Sequence, residues 1–269
     1  EQINDTPVDG MSLNDVVDLI KGADGAFTMK VYRPTADEEF SFEIECGEVK
    51  VPAVTYKMLE DGIGYIRLNE FTEVAVGQFV DAAEMLEDQG MQKLIVDLRD
   101  NPGGLLTSVC DILDEVLPEG LLVYTEDKDG NREEYNSDRM RTVYCELAVL
   151  VNENSASASE IFAGAIQDHG AGTIIGTKTY GKGIVQKTFP LSDGSAFKMT
   201  VEKYYTPLGQ DINGNGITPD IIVDNEEKNA VAGGESGTSA SGDGENIDEA
   251  SDPVLKKALE VLREKIAEH

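Results

Sequence analysis

The feature that most limits the fold is a regular alternation of short apolar segments with amphipathic segments between residues 63 and 176. The apolar segments have the length of strands and lie at residues 63–68, 93–98, 147–151 and 173–176. The amphipathic segments repeat their apolar residues at helical spacing and lie at residues 75–89, 105–117 and 157–168. The segment KLIVDL at 93–98 is so apolar that we expect it in a sheet covered on both faces. Strands that alternate with helices in this way predict an α/β core.

Additional elements flank this core. A short helix is predicted over residues 12–21, with Ser12 as its N-cap and Asp15 three residues later. Further strands are predicted at 26–33, 40–45, 49–58 and over most of 184–206, and a hairpin at 121–136. The Asp129-Gly130 pair marks the turn of that hairpin.

The composition changes after Asp224. Residues 226–252 are rich in Gly, Ser and acidic residues and contain almost no large apolar side chain, so they predict a flexible acidic linker. A final helix is predicted over 253–269, with Asp252 as its cap and Pro253 at its first position.

Charge and cysteine content exclude several classes of function. The chain has 52 acidic and 22 basic residues, a net charge of −30, which argues against binding a nucleic-acid backbone. No apolar run approaches the ~18 residues of a membrane-spanning helix. The three cysteines, Cys46, Cys110 and Cys145, form no CxxC pair, so we expect neither a disulfide framework nor a zinc site.

The segment 152–160 (NENSASASE) is the most unusual in the chain, because an apolar strand ends, small residues follow and a helix begins. A serine at such a junction lies at a helix N-terminus, where free N–H groups and the positive end of the dipole stabilise an oxyanion. The same serines also fit a purely structural role as N-caps, supported by Glu160.

A serine nucleophile needs a base. His169 lies twelve residues beyond Ser157 on the same predicted helix, roughly 18 Å away at 1.5 Å per residue, and His269 ends the chain. The sequence therefore disfavours a Ser-His-Asp triad and leaves Lys182, between Gly181 and Gly183, as the candidate base. The apolar residues that follow it favour burial and hence the neutral amine that a general base requires, although a solvated turn lysine has the same local pattern.

Two segments match parts of known ligand-binding motifs, but each lacks a residue that the motif requires. Residues 176–182 fit the GxxxxGK part of a phosphate-binding loop, but Gly183 stands where Ser or Thr should hold magnesium and a strand pattern follows. Residues 211–216 match the start of a calcium loop, but Ile222 stands where a bidentate Glu is needed. We therefore interpret 211–216 as a glycine-rich turn.

The loop DLRDNPGG at 97–104 can point a glycine N–H at an anion.

Together these motifs resemble those of the C-terminal processing peptidases, also called tail-specific proteases. The resemblance covers about residues 4–224, and its carriers are DLRDNPGG (97–104), VNENSASASEIFAGAIQDHG (151–170), GTKTYGKGIVQ (176–186) and GQDINGNGITPD (209–220). It implies a serine nucleophile at Ser157, a lysine base at Lys182 and a supporting glutamine at Gln186. It also implies an oxyanion hole from the N–H groups of Gly103 and Ala158, and a core like the crotonase and Clp-type superfamily.

The same resemblance implies a domain organisation. Residues 1–35 resemble the second half of the family's PDZ domain, 36–225 the peptidase domain, 226–252 the linker and 253–269 a C-terminal helix. The family's upstream PDZ half, N-terminal helices and export signal or anchor have no counterpart in this sequence, which suggests a fragment.

The function implied is a serine endopeptidase that cleaves proteins with loose, apolar C-terminal tails through an acyl-enzyme. The resemblance implies neither a metal nor a cofactor. It implies protein or peptide partners with exposed C-terminal tails and an extracytoplasmic location, and a homo-oligomer is possible. Two alternatives are a catalytically silent PDZ-type binding module, in which Ser157 only caps a helix, and a crotonase-like acyl-CoA enzyme. Neither alternative explains Lys182 together with Ser157.

Overall fold

A computed structural model describes residues 1–23, 25–45, 52–138, 143–223 and 252–264. The chain divides into two compact units, Glu1–Val51 and Pro52–His269. Several predicted features lie outside the described residues: the linker apart from Asp252, the end of the C-terminal helix, Cys46, and the start of the strand predicted at 49–58.

The first unit contains one helix and a four-stranded antiparallel sheet. Its strands are β1 (Gln2–Ile3), β2 (Thr6–Pro7), β3 (Ala26–Arg33) and β4 (Glu38–Glu45), in the order β2-β1-β3-β4. The helix α1 (Leu13–Lys21) follows Ser12, which forms the predicted capping box with Asp15. The boundary predicted at residue 35 differs from the observed division, because β4 pairs with β3 along its whole length and so belongs to the first unit.

A six-stranded sheet forms the centre of the second unit. Its strands are β5 (Val54–Met58), β6 (Ile63–Leu68), β7 (Lys93–Asp97), β10 (Glu146–Val151), β11 (Gly172–Gly176) and β14 (Ile221–Ile222). Their order is β14-β11-β10-β7-β6-β5, and all neighbours are parallel except β5 and β6. A single turn of 3-10 helix, Glu60–Gly62, precedes β6.

Three helices cover one face of this sheet: α2 (Ala75–Asp88), α3 (Leu106–Val116) and α4 (Ala158–Asp168). The central strands β7 and β10 are buried on both faces. In β10, for example, Leu147, Val149 and Val151 belong to the core beneath these helices, whereas Ala148 and Leu150 belong to a second core on the opposite face. This two-sided burial explains why the strands are apolar throughout instead of alternating with polar residues.

The C-terminal helix α5 (Pro253–Glu264) covers that second face. Asp252 Oδ1 accepts the N–H groups of Val254 and Leu255, each at 3.0 Å, so the predicted cap is present. Arg99 bonds Asp252 at 2.7 Å, and at the other end of the helix Lys93 donates to the carbonyl of Leu262. Because Lys93 begins β7 and Arg99 follows its end, α5 is attached to the sheet at both ends of one strand.

A separate antiparallel sheet contains β8 (Gly120–Asp127), β9 (Arg132–Ser137), β12 (Ile184–Pro190) and β13 (Ala196–Tyr205), in the order β12-β13-β8-β9. The hairpin predicted at 121–136 is the pair β8 and β9, and the strand region predicted at 184–206 is the pair β12 and β13. Among the residues that the structure describes, no helix is long and apolar enough to cross a membrane.

Candidate active site

Two loops meet at the carboxyl edge of neighbouring parallel strands. One leaves β7 and runs through 98–105 to α3, and the other leaves β10 and runs through 152–157 to α4. The Ala156 N–H donates to the carbonyl of Asn101 at 3.0 Å, and Leu98 donates to Leu150 at 2.9 Å. The strand register therefore places the predicted oxyanion loop beside the predicted nucleophile.

Of the three alternating serines, only Ser157 is accessible. Ser155 and Ser159 are fully buried, and their hydroxyls donate to the carbonyls of Leu98 at 2.7 Å and Asn101 at 3.0 Å. Ser157 is half-buried and has φ 56° and ψ −113°, a backbone conformation that is strained for a residue with a side chain. A strained serine at a sharp strand-to-helix turn presents its Oγ in the way a nucleophile requires. Ser155 and Ser159, by contrast, fasten the two loops together.

Gly103 lies directly against this turn. A Cβ added to Gly103 would lie 2.7 Å from the Ala156 oxygen, 2.8 Å from Ser157 Cβ and 2.9 Å from the Ala158 nitrogen, and its φ is +105°. Only glycine fits here, because both the space and the backbone conformation exclude a side chain. Ala158 is the first residue of α4, so its N–H has no acceptor within the helix and is available to an oxyanion.

The N–H of Gly103 is oriented differently from the sequence-based expectation. It donates to Asn101 Oδ1 at 2.8 Å, while Asn101 Nδ2 donates to the carbonyl of Leu68 at 2.7 Å. This is the two-residue turn that Asn side chains favour, and it fixes the buried Asn101 in place. The structure thus brings both predicted oxyanion residues together, but the Gly103 N–H reaches an oxyanion only if it shares or releases its bond to Asn101.

Glu160 joins the nucleophile turn to the lysine loop. Its carboxylate is fully buried and accepts four hydrogen bonds. Oε1 accepts from the Thr179 hydroxyl at 2.6 Å and from the Gly181 N–H at 2.7 Å. Oε2 accepts from the Ser157 N–H at 2.9 Å and from the Lys182 N–H at 2.8 Å. Because one oxygen bonds both, the backbone nitrogens of Ser157 and Lys182 lie no more than 5.7 Å apart, the sum of those two distances.

The lysine loop also packs on the turn at 211–216. A Cβ on Gly183 would clash with the Asn213 nitrogen, and the Gly214 N–H donates to the Gly181 carbonyl at 2.9 Å. The glycines beside Lys182 therefore permit a close backbone contact. The chain continues into β12 and not into a helix, which confirms that the GxxxxGK match is no phosphate loop.

Lys182 itself is exposed, so the burial expected from Ile184 and Val185 is wrong for this structure. Both of those side chains are only half-buried, because β12 belongs to the separate antiparallel sheet and not to the six-stranded core. Gln186 is also exposed, and a bulge between Val185 and Gln186 interrupts the regular strand between the lysine loop and this glutamine.

His169 lies at the far end of α4, where its Nε2 is 2.8 Å from the Leu121 carbonyl oxygen. The helix length thus separates it from Ser157, as predicted. Within the described ranges, no group of three or more His, Cys, Asp or Glu side chains is placed to hold a metal ion.

Glu160 and Asn101 are the residues whose importance the sequence did not reveal. Glu160 was interpreted only as support for a helix cap, and its bond to Ser157 is such a support. Its bonds to residues 179–182 depend on a fold that brings together segments about twenty residues apart. The one local signal is Glu160 itself, a carboxylate directly before the apolar run 161–166 of its helix.

Comparisons with known proteins show what this chain is similar to. The sequence model of peptidase family S41 matches residues 62–223. A carboxyl-terminal-processing protease of Synechocystis sp. is 46% identical over 162 residues, 60% of this chain and 38% of that protein. A carboxy-terminal-processing protease of Bartonella bacilliformis is 38% identical over 230 residues, 83% of this chain and 53% of that protein. The solved structure of a photosystem II D1 C-terminal processing protease is 33% identical, with a TM-score of 0.62, over 84% of this chain and 62% of that one.

The family match covers more than half of the chain, which therefore belongs to peptidase family S41. The chain spans about half or less of the length of these two curated relatives.

Proposed function

We propose that this chain contains the catalytic domain of a serine endopeptidase that processes the C-terminal ends of proteins, with a Ser157–Lys182 dyad. The observation that supports the dyad most directly is the single Glu160 oxygen that accepts the N–H groups of both residues. The names of the similar proteins, which describe C-terminal processing, support the substrate class.

The mechanism follows from the positions of these groups. Lys182 removes the proton of Ser157 Oγ, which attacks the carbonyl carbon of the scissile peptide bond. The resulting oxyanion is stabilised by the Ala158 N–H and by the Gly103 N–H once the latter turns from Asn101. Collapse breaks the C–N bond, the leaving amine takes the proton from Lys182, and water then hydrolyses the acyl-enzyme. Gln186 is proposed to orient Lys182.

We further propose that the first unit is part of a PDZ domain that binds substrate tails. Its support is the combination of α1 with the paired strands β3 and β4, in a segment that resembles the second half of such a domain. Peptide tails bind PDZ domains by adding a strand to a sheet.

Fluorophosphonate labelling tests the proposed function. The protein should be labelled at one serine, located by mass spectrometry at Ser157, and should cleave a protein with an apolar C-terminal tail. Ser157→Ala should abolish both results. Ser155→Ala and Ser159→Ala should retain some labelling, because their hydroxyls bond groups of the surrounding loops and not the proposed reacting atoms. A protein that binds tails but is neither labelled nor proteolytic would instead support the silent binding module.

A further inference from the structure

Arg99 connects the C-terminal helix α5 to the oxyanion loop, residues 98–105. Its side chain is only 10% exposed and bridges two carboxylates. Nη2 donates to Asp97 Oδ2 at 2.6 Å, and Nη1 donates to Asp252 Oδ2 at 2.7 Å. Asp97 is fully buried at the end of β7, whereas Asp252 caps α5. The sheet and α5 therefore together fix the position of the Arg99 side chain.

Asp100 extends this attachment to the loop that precedes the nucleophile. Its N–H donates to Asn152 Oδ1 at 2.9 Å. Its Oδ1 accepts Asn152 Nδ2 and Asn154 Nδ2, also at 2.9 Å each. The φ of Asp100 is 62°, and a residue with a side chain stays in this region only where its surroundings hold it there. Asn152 and Asn154 hold Asp100 from one side, and Arg99, directly before it in the chain, holds it from the other.

The bonds that follow along the loop lead to the proposed catalytic groups. The Asn101 carbonyl accepts the Ala156 N–H at 3.0 Å, and Asn101 Oδ1 accepts the Gly103 N–H at 2.8 Å. Arg99 is thus two residues from the carbonyl that holds the nucleophile turn and four residues from a proposed oxyanion donor. Because a displacement of about 1 Å can reduce a rate about 100-fold, a small movement at Arg99 should be measurable in turnover.

We propose that Asp252 is a positioning residue of the proposed active site, that it acts through Arg99, and that the oxyanion loop has its full activity only while α5 is docked on the sheet. The inference rests on the proposed function. It assigns a role in catalysis to a helix that covers the face of the sheet opposite α2, α3 and α4. Since Asp252 acts on the loop and not on the substrate, its loss should lower kcat and leave KM nearly unchanged.

Asp252→Asn tests the proposal because it separates the two roles of this side chain. Asparagine caps helices as well as aspartate does, and it keeps an oxygen for the N–H groups of Val254 and Leu255. Its NH₂ group then faces the Arg99 guanidinium, so the bond between the two side chains is lost. We expect kcat for peptide cleavage to fall roughly threefold to thirtyfold, less than for the loss of a whole oxyanion donor, with KM within about twofold.

Hydrogen–deuterium exchange measures the loop without relying on activity. In Asp252→Asn, the peptides that cover residues 98–105 should exchange faster than in the wild-type protein, because the loop has lost one of its attachments. Asp252→Ser, which also caps well but has no carboxylate, takes the place of the Asn variant if that protein does not fold.

Two variants loosen the opposite end of α5 and serve as matched controls. Asp61→Asn is the same substitution in another 2.7 Å bond to an arginine, Arg263. Lys93→Met removes a buried bond from the Lys93 ammonium group to the Leu262 carbonyl. Both controls should keep kcat within about twofold and leave exchange in the oxyanion loop unchanged, whatever they cost in urea unfolding, because neither bond involves that loop.

Three results would overturn the proposal: wild-type kcat in Asp252→Asn, an equal loss of kcat in the two controls, or unchanged exchange in the oxyanion loop of Asp252→Asn. Each of these leaves the proposed function intact when the wild-type protein is labelled at Ser157. A wild-type protein that is neither labelled nor proteolytic removes the proposed function, and the catalytic role of Asp252 falls with it.

Discussion

Replacing Glu160 by glutamine separates positioning from chemistry, because Glu160 touches the backbone of both proposed catalytic residues. The amide keeps one oxygen and puts an NH₂ group in place of the other. If the NH₂ faces Ser157 and Lys182, two buried N–H groups lose their acceptor. If it faces Thr179 and Gly181, one backbone N–H loses its acceptor, and the Thr179 hydroxyl must find another. The second orientation is the less costly.

A buried donor without an acceptor costs about 1–3 kcal/mol, so Glu160→Gln should lower the free energy of unfolding by that amount. The Gly181 N–H is the anchor next to Lys182, and its loss allows the lysine loop to shift. Displacements of about 1 Å can reduce a rate about 100-fold, so we expect kcat to fall on the order of 10- to 100-fold with KM within about twofold. Peptide cleavage and urea unfolding, measured on the same preparation, give both quantities.

Glu153→Gln is the matched control. Glu153 lies in the loop before Ser157 and accepts a 2.9 Å bond from the Thr177 hydroxyl, in the segment that leads to Lys182. Unlike Glu160, it is exposed. Its replacement should change stability by less than about 0.5 kcal/mol and leave kcat within twofold. If Glu160→Gln lowers stability but the folded enzyme keeps near-wild-type kcat, Glu160 is structural only and our account of how the dyad is positioned is wrong.

Three further predictions concern the surroundings of the site. Arg99→Ala should lower the free energy of unfolding by about 3–5 kcal/mol in urea titrations, because it breaks a 2.6 Å pair with the buried Asp97 and the bond to Asp252; a loss below about 1 kcal/mol would contradict this. Burial alone would lower the pKa of Arg99, but Asp97 and Asp252 raise it above its usual value, so this pair should hold throughout the alkaline range in which the protein is folded. Gly103→Ala should abolish peptide cleavage because its methyl group would meet the Ala156 carbonyl; normal turnover would show that the loop is not packed as described. Burial raises the pKa of Cys110 to about 12, so at pH 9 only about one thousandth of it is thiolate, and iodoacetamide should alkylate it far more slowly in the folded than in the unfolded protein; equal rates would refute the burial.

The α/β core could be predicted because burial on two faces leaves a strong pattern in the sequence. The strand at 63–68 and the helix at 75–89 were predicted within one residue of their observed bounds. Ser12 and Asp252 could be identified as caps because helix capping depends on residues that are close in sequence. The two-residue strands β1, β2 and β14 were missed because so short a segment has no periodicity to detect.

The site could be predicted only in part, since its geometry depends on contacts between distant segments. The backbones of Ser157, Lys182 and Gly103 lie close together in the structure, and their catalytic roles stay a prediction. The sequence did not indicate that Lys182 is exposed, because its exposure depends on β12 belonging to the separate antiparallel sheet. The bond from the Gly103 N–H to Asn101 was missed although it is local, since an Asn two residues before a glycine is a turn signal. The position of α5 could not be predicted either. Its sequence indicates an apolar face, but not which face of the sheet that apolar face packs against.

The most direct test of the central claim is the rate of peptide cleavage by Lys182→Arg compared with the wild-type protein across the accessible pH range. Arginine keeps the positive charge and much of the length of lysine but stays protonated in proteins, so it cannot accept the Ser157 proton. If Lys182 is the base, the variant should lose about 100- to 10,000-fold in kcat at every pH, the contribution usual for general acid–base catalysis, while remaining folded. A Lys182→Arg protein that cleaves peptides at near-wild-type rates would show that Lys182 is not the base and would contradict the Ser-Lys mechanism.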